Sequence, residues 1–254
     1  MSLSDPKILF ENDEHKFIML GMETGDEHGI YTNQYLILHK DEGVLLDPGG
    51  VHVFPKVLAN VSEFINPDKI TGIFYSHQDP DVSSGIALWS NVTNAKIYAS
   101  NLWERFLPHF GVFDEKKFIA LSDKGGNIPF KDGLKLEIVP AHFMHSVGNF
   151  NIYDPISKIF FSGDVGVGVV PPSERSIFVE SFESYKKYIE GFHVRYMTSN
   201  KACKKYVDLL NKYDINILAP QHGSLYKDND VKKFLNWLSG IKCGVDIIDK
   251  IYGM

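Results

Sequence analysis

Cysteine is nearly missing from this sequence: Cys203 and Cys243 are the only two, they stand far apart, and they form no C-x-x-C pair. That excludes a rubredoxin-type iron or a C-x-x-C redox dithiol. Cys203 falls on the apolar face of a predicted helix with Ala202, Tyr206, Val207 and Leu210, which suits core packing. No apolar run approaches the ~20 residues that span a bilayer, and the N-terminus lacks a charged segment followed by an apolar one. The expected location is therefore the cytoplasm, and the sequons at Asn60 and Asn91 read as chance. Basic charge is also scarce, with 26 Lys and Arg against 32 Asp and Glu, a net charge of −6 and no basic stripe. Neither nucleic acid nor an anionic membrane is expected as a partner. Pro/Gly/Ser linkers and low-complexity tracts are absent as well, so residues 1–254 read as one domain whose 44% hydrophobic content can build a substantial core. No Gly-rich phosphate loop follows a strand, so nothing in the sequence would hold FMN.

What is present is a strand with an unusual ending. Ile70–Tyr75 is apolar and β-prone, and it stops at His77-Gln78-Asp79-Pro80-Asp81. His77, Asp79 and Asp81 sit at i, i+2 and i+4, positions that share one side of an extended chain. Pro80 is expected to exclude helix here and to hold Asp79 extended. Taken alone, the segment reads equally well as a solvated Asp/Pro turn. The same ending recurs, however. Leu134–Pro140 runs into Ala141-His142-Phe143-Met144-His145-Ser146-Val147-Gly148, Ile159–Phe161 into Ser162-Gly163-Asp164, and Ile215–Pro220 into Gln221-His222-Gly223. Four such endings predict loops that converge on one edge of a layered α/β fold, where such folds place their sites.

The remaining elements fit this frame. Lys7–Phe10, Phe17–Gly21, Ile30–His39 and Gly43–Leu46 read as a β-meander, and Asp47-Pro48-Gly49-Gly50 ends its last strand with an acid. Phe54, Val57, Leu58, Val61, Phe64 and Ile65 form a helical stripe behind Pro55, and Ser83–Trp89 predicts a second helix. Lys96–Ala99 is a further strand before an aromatic segment at Leu102–Phe106. Phe182–Tyr213 reads as a helix pair, and Val231, Phe234, Leu235, Leu238, Ile241 and Val245 recur at helical spacing. His15, His39, His52, His109 and His193 lie outside the motifs and receive no role.

The ordered motifs H-x-D-x-D, H-x-x-G, S-G-D and Q-H-G resemble the metallo-β-lactamase superfamily over nearly the whole chain. More narrowly they are similar to its diiron branch, the oxygen-binding diiron proteins and the lactamase-like half of flavodiiron proteins. The resemblance implies a four-layer αββα sandwich holding two iron ions. His77, Asp79 and His145 would bind one metal, Asp81 and His222 the other, and Asp164 would bridge them. Asp79 stands where metal-dependent hydrolases of the superfamily carry His; a hard anionic oxygen suits iron that must become ferric, whereas a nitrogen-rich site suits zinc. The chain departs from the family pattern at Val82, where a further His ligand is often found, so the second metal would have one protein donor fewer. His142 is either a substitute ligand or an ordinary loop residue. By the same resemblance Asp47 would orient a ligand, unless it only shapes its turn; His28 would approach the pocket; and Tyr196 would donate a hydrogen bond there, unless it belongs to a helix-pair core.

The implied function is binding or sensing of dioxygen, or reduction of dioxygen or nitric oxide. Reducing dioxygen to water takes four electrons and a diferrous pair stores two, so turnover would require a separate flavin or rubredoxin partner while binding would not. A homodimer is expected from the resemblance. The competing reading is a dinuclear zinc hydrolase of thioesterase or lactonase type, in which metal-bound hydroxide attacks a carbonyl. A relative that has lost its metals is the third reading.

Overall fold

A computed structural model describes residues 3–23 and 30–254; His28 lies outside the described residues. Two sheets carry the architecture. The first contains β1 (Lys7–Glu11), β2 (His15–Glu23), β3 (Thr32–His39), β4 (Glu42–Leu46), β5 (Ile70–Phe74), β6 (Lys96–Ser100) and β7 (Phe118–Leu121), side by side in sequence order. The meander β1–β4 is antiparallel, whereas β4 to β7 run parallel and are joined by crossovers. The second sheet contains β8 (Gly126–Pro129), β9 (Lys135–Pro140), β10 (Phe150–Asp154), β11 (Ile159–Gly163), β12 (Ile217–Pro220) and β13 (Tyr226–Lys227) in the order β13-β12-β11-β10-β9-β8.

Period-two side-chain alternation assigns the faces. From β2, β3 and β4, Phe17, Met19, Tyr35, Ile37, Val44 and Leu46 join the second sheet's Ile138, Ile152 and Phe161 in one apolar cluster between the sheets. The intervening Ile18, Leu20, Leu36 and Leu45 face outward into a second cluster. There they meet α1 (Phe54–Ser62), α2 (Pro80–Ser83) and α3 (Ile86–Val92) through Val57, Val61, Val82, Ile86 and Trp89. Each wholly buried Leu or Phe contributes roughly 1.5–3 kcal/mol of transfer free energy. On the far side of the second sheet lie α4 (Phe182–Tyr196), α5 (Asn200–Leu210) and α6 (Asn229–Gly240), which bury Ile189, Tyr206, Leu210, Phe234 and Leu238. The layers are helix, sheet, sheet, helix, as the resemblance implied.

Three local expectations fail. Residues 77–81 are not extended throughout: Asp79 is extended at φ −63°, ψ 148°, but Pro80 opens α2. A helix's first residue has no intrahelical partner for its N–H, so proline costs nothing there. The predicted helix Ser83–Trp89 is two helices broken at Ser84-Gly85. Finally, α6 ends at Gly240, and Val245 is 56% exposed in a short 3-10 turn rather than on a core stripe.

The edge away from the strand ends that carry the motifs is closed by a polar chain that is buried up to its exposed last member, Asp132. His15 Nε2 lies 2.8 Å from Asp154 Oδ2, His15 Nδ1 lies 3.3 Å from His39 Nδ1, and His39 Nε2 lies 2.8 Å from Asp132 Oδ2. Since His15 is on β2 and Asp154 on β10, this chain ties one sheet to the other. Two histidines without a role in the sequence reading thus join the layers.

Candidate metal centre

Every motif residue sits just beyond the carboxyl end of a strand. Asp47 follows β4, His77–Asp81 follow β5, His145 follows β9, Asp164 follows β11 and His222 follows β12. The adjacent ends belong to both sheets, so the side chains meet at one edge of the sandwich. The backbone is bent to bring them there. Asp47 and His145 hold φ of 41° and 80°, left-handed values that non-glycine residues adopt at a cost of about 1–3 kcal/mol.

Four donors form a compact group: one ligand atom each from His77, Asp79, His145 and Asp164 lie within 4.8 Å of one another. His77 Nε2 is 3.6 Å from both Asp79 Oδ2 and Asp164 Oδ2, and His145 Nε2 is 2.9 Å from Asp79 Oδ2 and 3.5 Å from Asp164 Oδ2. On the other side, His222 Nε2 lies 3.1 Å from Asp81 Oδ2 and 3.6 Å from Asp164 Oδ1. The two oxygens of Asp164 therefore face two different His/Asp sets. All six residues named from the sequence converge.

The residues behind these donors fix which nitrogen points inward. Ser76 donates its hydroxyl to Asp47 Oδ2 at 2.5 Å and its N–H to Asp47 Oδ1 at 2.7 Å. Its Oγ lies 2.9 Å from His77 Nδ1, so with that hydroxyl committed to Asp47 it accepts the His77 Nδ1–H. This leaves the Nε2 lone pair toward the centre, the arrangement by which a metal-bound imidazole is held. His222 donates Nδ1–H to the Tyr31 carbonyl at 2.7 Å with the same result. Buried His77 Nε2 and Asp164 Oδ1 have no hydrogen-bond partner among the described residues. Buried ligand atoms left without hydrogen-bond partners suit cation binding rather than a hydrogen-bonded core.

The electrostatics agree. Burial would lower the pKa of His77, but Asp164, Asp79 and Asp47 outweigh it and raise it to about 9. Burial opposes protonation of His222 too, and Asp81 and Asp164 reverse that effect. The hydrogen bond from His145, helped by the nearby His77 imidazole, holds Asp79 well below the usual carboxylate range. Asp47, wholly buried, is pushed up to about 7 by desolvation. The carboxylates thus create a field that draws positive charge, met by protons in the free protein and by metal in the loaded one.

Other expectations resolve differently. His142 does not reach the centre; its Nε2 faces the Asp123 carbonyl at 2.8 Å and its Nδ1 the Val147 carbonyl at 3.2 Å. Val82 is wholly buried in the apolar cluster beneath the first helices and supplies no donor. Tyr196 is 55% exposed, stacked on Phe192 at 4.8 Å with its ring 5.5 Å from that of His145, so it packs at the rim rather than in a core. The sequence reading missed Ser76, Gln78 and Gln221: Gln78 donates to Asp79 and accepts from Ser146, and Gln221 donates to Asp81. Their positions beside the ligand residues were the available signal. A cavity of about 330 Å³ also touches His77 and Gln78, lined mainly by Tyr75, Ile86, Ala99, Trp103 and Phe106.

With this geometry in view, the comparisons are specific. A structure of the peroxy diiron species of chemotaxis sensor ODP shares 49% identity and superimposes with a TM-score of 0.88 over 97% of this chain and 99% of that one. The apo state of chemotaxis sensor ODP from T. denticola gives 50% identity and a TM-score of 0.86 over the same shares of the two chains. A flavo di-iron protein mutant from Thermotoga maritima, at 24% identity and a TM-score of 0.75 over 92% of this chain and 60% of that one, shares the fold. Among curated proteins, the flavo-diiron protein FprA2 of Clostridium acetobutylicum is 26% identical over 78% of this chain and 50% of its own length. An uncharacterized protein of Methanocaldococcus jannaschii is 28% identical over 84% of this chain and 54% of its own. The chain spans about half the length of these curated relatives. Residues 30–223 match the family described as ODP family beta lactamase, and the chain belongs to that family.

Proposed function

We propose that this protein is a non-haem diiron protein that binds dioxygen as a sensor. The observation that carries the reading is the division of Asp164: Oδ2 faces His77, His145 and Asp79, and Oδ1 faces His222 and Asp81. One carboxylate placed between two donor sets suits a two-metal site. When bound, a ferrous pair supplies electrons to a diatomic ligand. The protein's part is to hold the pair, to favour the ferric state through anionic Asp79, and to leave the Asp81/His222 side short of donors. The cavity beside His77, lined largely by apolar side chains, suits an apolar gas. The similarity at 49% identity to a sensor with a peroxy diiron species supports the same choice.

Sensing requires no electron supply beyond the pair itself, whereas sustained reduction of dioxygen or nitric oxide requires an external donor. A signalling partner, a cytoplasmic location and a homodimeric assembly belong to this proposal. The test is metal analysis of protein purified without oxygen, followed by visible spectra as air is admitted. About two irons per chain and a new absorption on exposure to oxygen are expected. Two zincs and a silent spectrum would overturn the reading in favour of a hydrolase, to be assayed on thioesters and lactones.

A further inference from the structure

The two cysteines, remote in sequence, are neighbours in space. Cys203 lies on α5 and Cys243 opens the short turn Gly244–Ile247; both are wholly buried and their sulfurs stand 3.8 Å apart. A disulfide needs about 2.05 Å between sulfurs, so closure asks for under ~2 Å of approach shared by two side chains. Their surroundings are unequal. The Cys243 sulfur accepts a hydrogen bond from the Asp246 N–H and lies within hydrogen-bond reach of the Cys203 thiol. We propose that Cys203 and Cys243 are a peroxide-responsive dithiol that closes to a reversible intramolecular disulfide.

The asymmetry assigns the roles. The Asp246 N–H aimed at the Cys243 sulfur favours a thiolate there, and the contact between the two sulfurs lowers the pKa of Cys243 while raising that of Cys203. Cys243 is the sulfur that attacks hydrogen peroxide: an S–O bond forms, the O–O bond breaks and hydroxide leaves, taking up the proton lost from the thiol. The Cys203 sulfur then attacks the sulfenic acid, the S–S bond forms, and the second oxygen departs as water with the remaining proton. In sum, two thiols and one hydrogen peroxide give one disulfide and two waters, with both electrons coming from sulfur.

The position gives the bond a consequence. Val245 N–H donates to the Thr198 carbonyl, and Thr198 N–H donates to the Phe143 carbonyl, two residues before His145. Asp246 also accepts from the Asn200 N–H at the start of α5. The tether would therefore fasten a segment that is hydrogen-bonded to the loop carrying a proposed metal ligand.

The test uses the full chain stripped of metal, so it does not depend on the diiron reading and fails separately from it. Hydrogen peroxide is added in slight excess, the protein is denatured, and free thiols are counted. The expected result is a fall from two thiols per chain to none, a mass loss of about 2 Da, a cross-linked Cys203–Cys243 peptide and full reversal by dithiothreitol. In Cys203→Ala, unfolding the peroxide-treated protein in dimedone should trap Cys243 as the sulfenic acid. Two thiols remaining in the wild-type protein, or oxidation of Cys243 to the sulfinic acid without pairing, would overturn the proposal even if the variant does not fold.

Discussion

Asp164 is a single side chain with two assignments, one for each carboxylate oxygen, so its loss should be felt on both sides of the centre. In Asp164→Ala, iron bound per chain should fall from about two to near zero, whereas loss of one iron alone, read by metal analysis, would mean the carboxylate serves only one side. Ser76 offers a finer test because it touches no proposed metal position and acts only by passing Asp47's grip to His77. Ser76→Ala should weaken iron binding about 10–100-fold in chelator competition, the usual cost of losing such a support; an unchanged affinity would show that His77 holds its orientation alone. The convergence of the six proposed donors was legible because each ends a strand in a short motif. Ser76 was not, since its importance comes from Asp47 reaching it across the β4–β5 boundary, a contact no linear spacing displays.

At the scale of elements, legibility followed hydrophobic periodicity and failed where that signal was weak. β10, Phe150–Asp154, is buried at every position, so it shows no alternation to betray a strand. β7 and β8 have four residues each; β7 is apolar on its exposed positions Ile119 and Ala120 as well as its buried one, so it shows no alternation, and β8 buries only Ile128. Pro80 was read as a helix breaker when its place at a helix start makes it a helix opener. Helix α4 contributes a titratable group that packing alone explains: His193 is wholly buried, donates Nδ1–H to the Ile189 carbonyl at 2.8 Å, and accepts the Gly166 N–H on Nε2 at 3.0 Å. Burial lowers its pKa to about 4, from 6.5. Between these values the unfolded chain binds the proton that the folded one refuses. Stability is therefore complete above pH 6.5 and lost as pH falls toward 4, by about 3 kcal/mol in all. Urea titrations of metal-free wild type and His193→Gln should diverge across that window; parallel curves would mean His193 is not held neutral.

For the molecule as a whole, the four layers were legible because the order of strands and helices restricts how they can stack. The cross-sheet chain through His15 was not, because partners from β2, β3, β10 and the segment after β8 meet only once both sheets have folded. Removing one member strands its neighbour: Asp154→Ala leaves His15 buried without its carboxylate and should cost about 3 kcal/mol or more in denaturant unfolding. Iron content of the folded fraction should stay at the wild-type value, because this chain lies at the opposite edge from the proposed site. A fall in iron binding would show instead that the two edges communicate. No helix among the described residues is long and apolar enough to cross a membrane.

The two edges differ in what closes them. One is fastened by side chains that the protein always carries, the His15–Asp154 pair and its neighbours. The other, where loops from both sheets bring His77, Asp79, Asp81, His145, Asp164 and His222 together, would be fastened by ions drawn from outside. A ligand that binds only the folded state stabilises it by mass action, so a well-fed cell would hold this edge shut and a starved one would leave it to fray. Proteases sample frayed edges, and their cutting follows the population of the open form. The lifetime of the protein would then track the iron supply, and the cell's stock of it would shrink when it cannot be loaded.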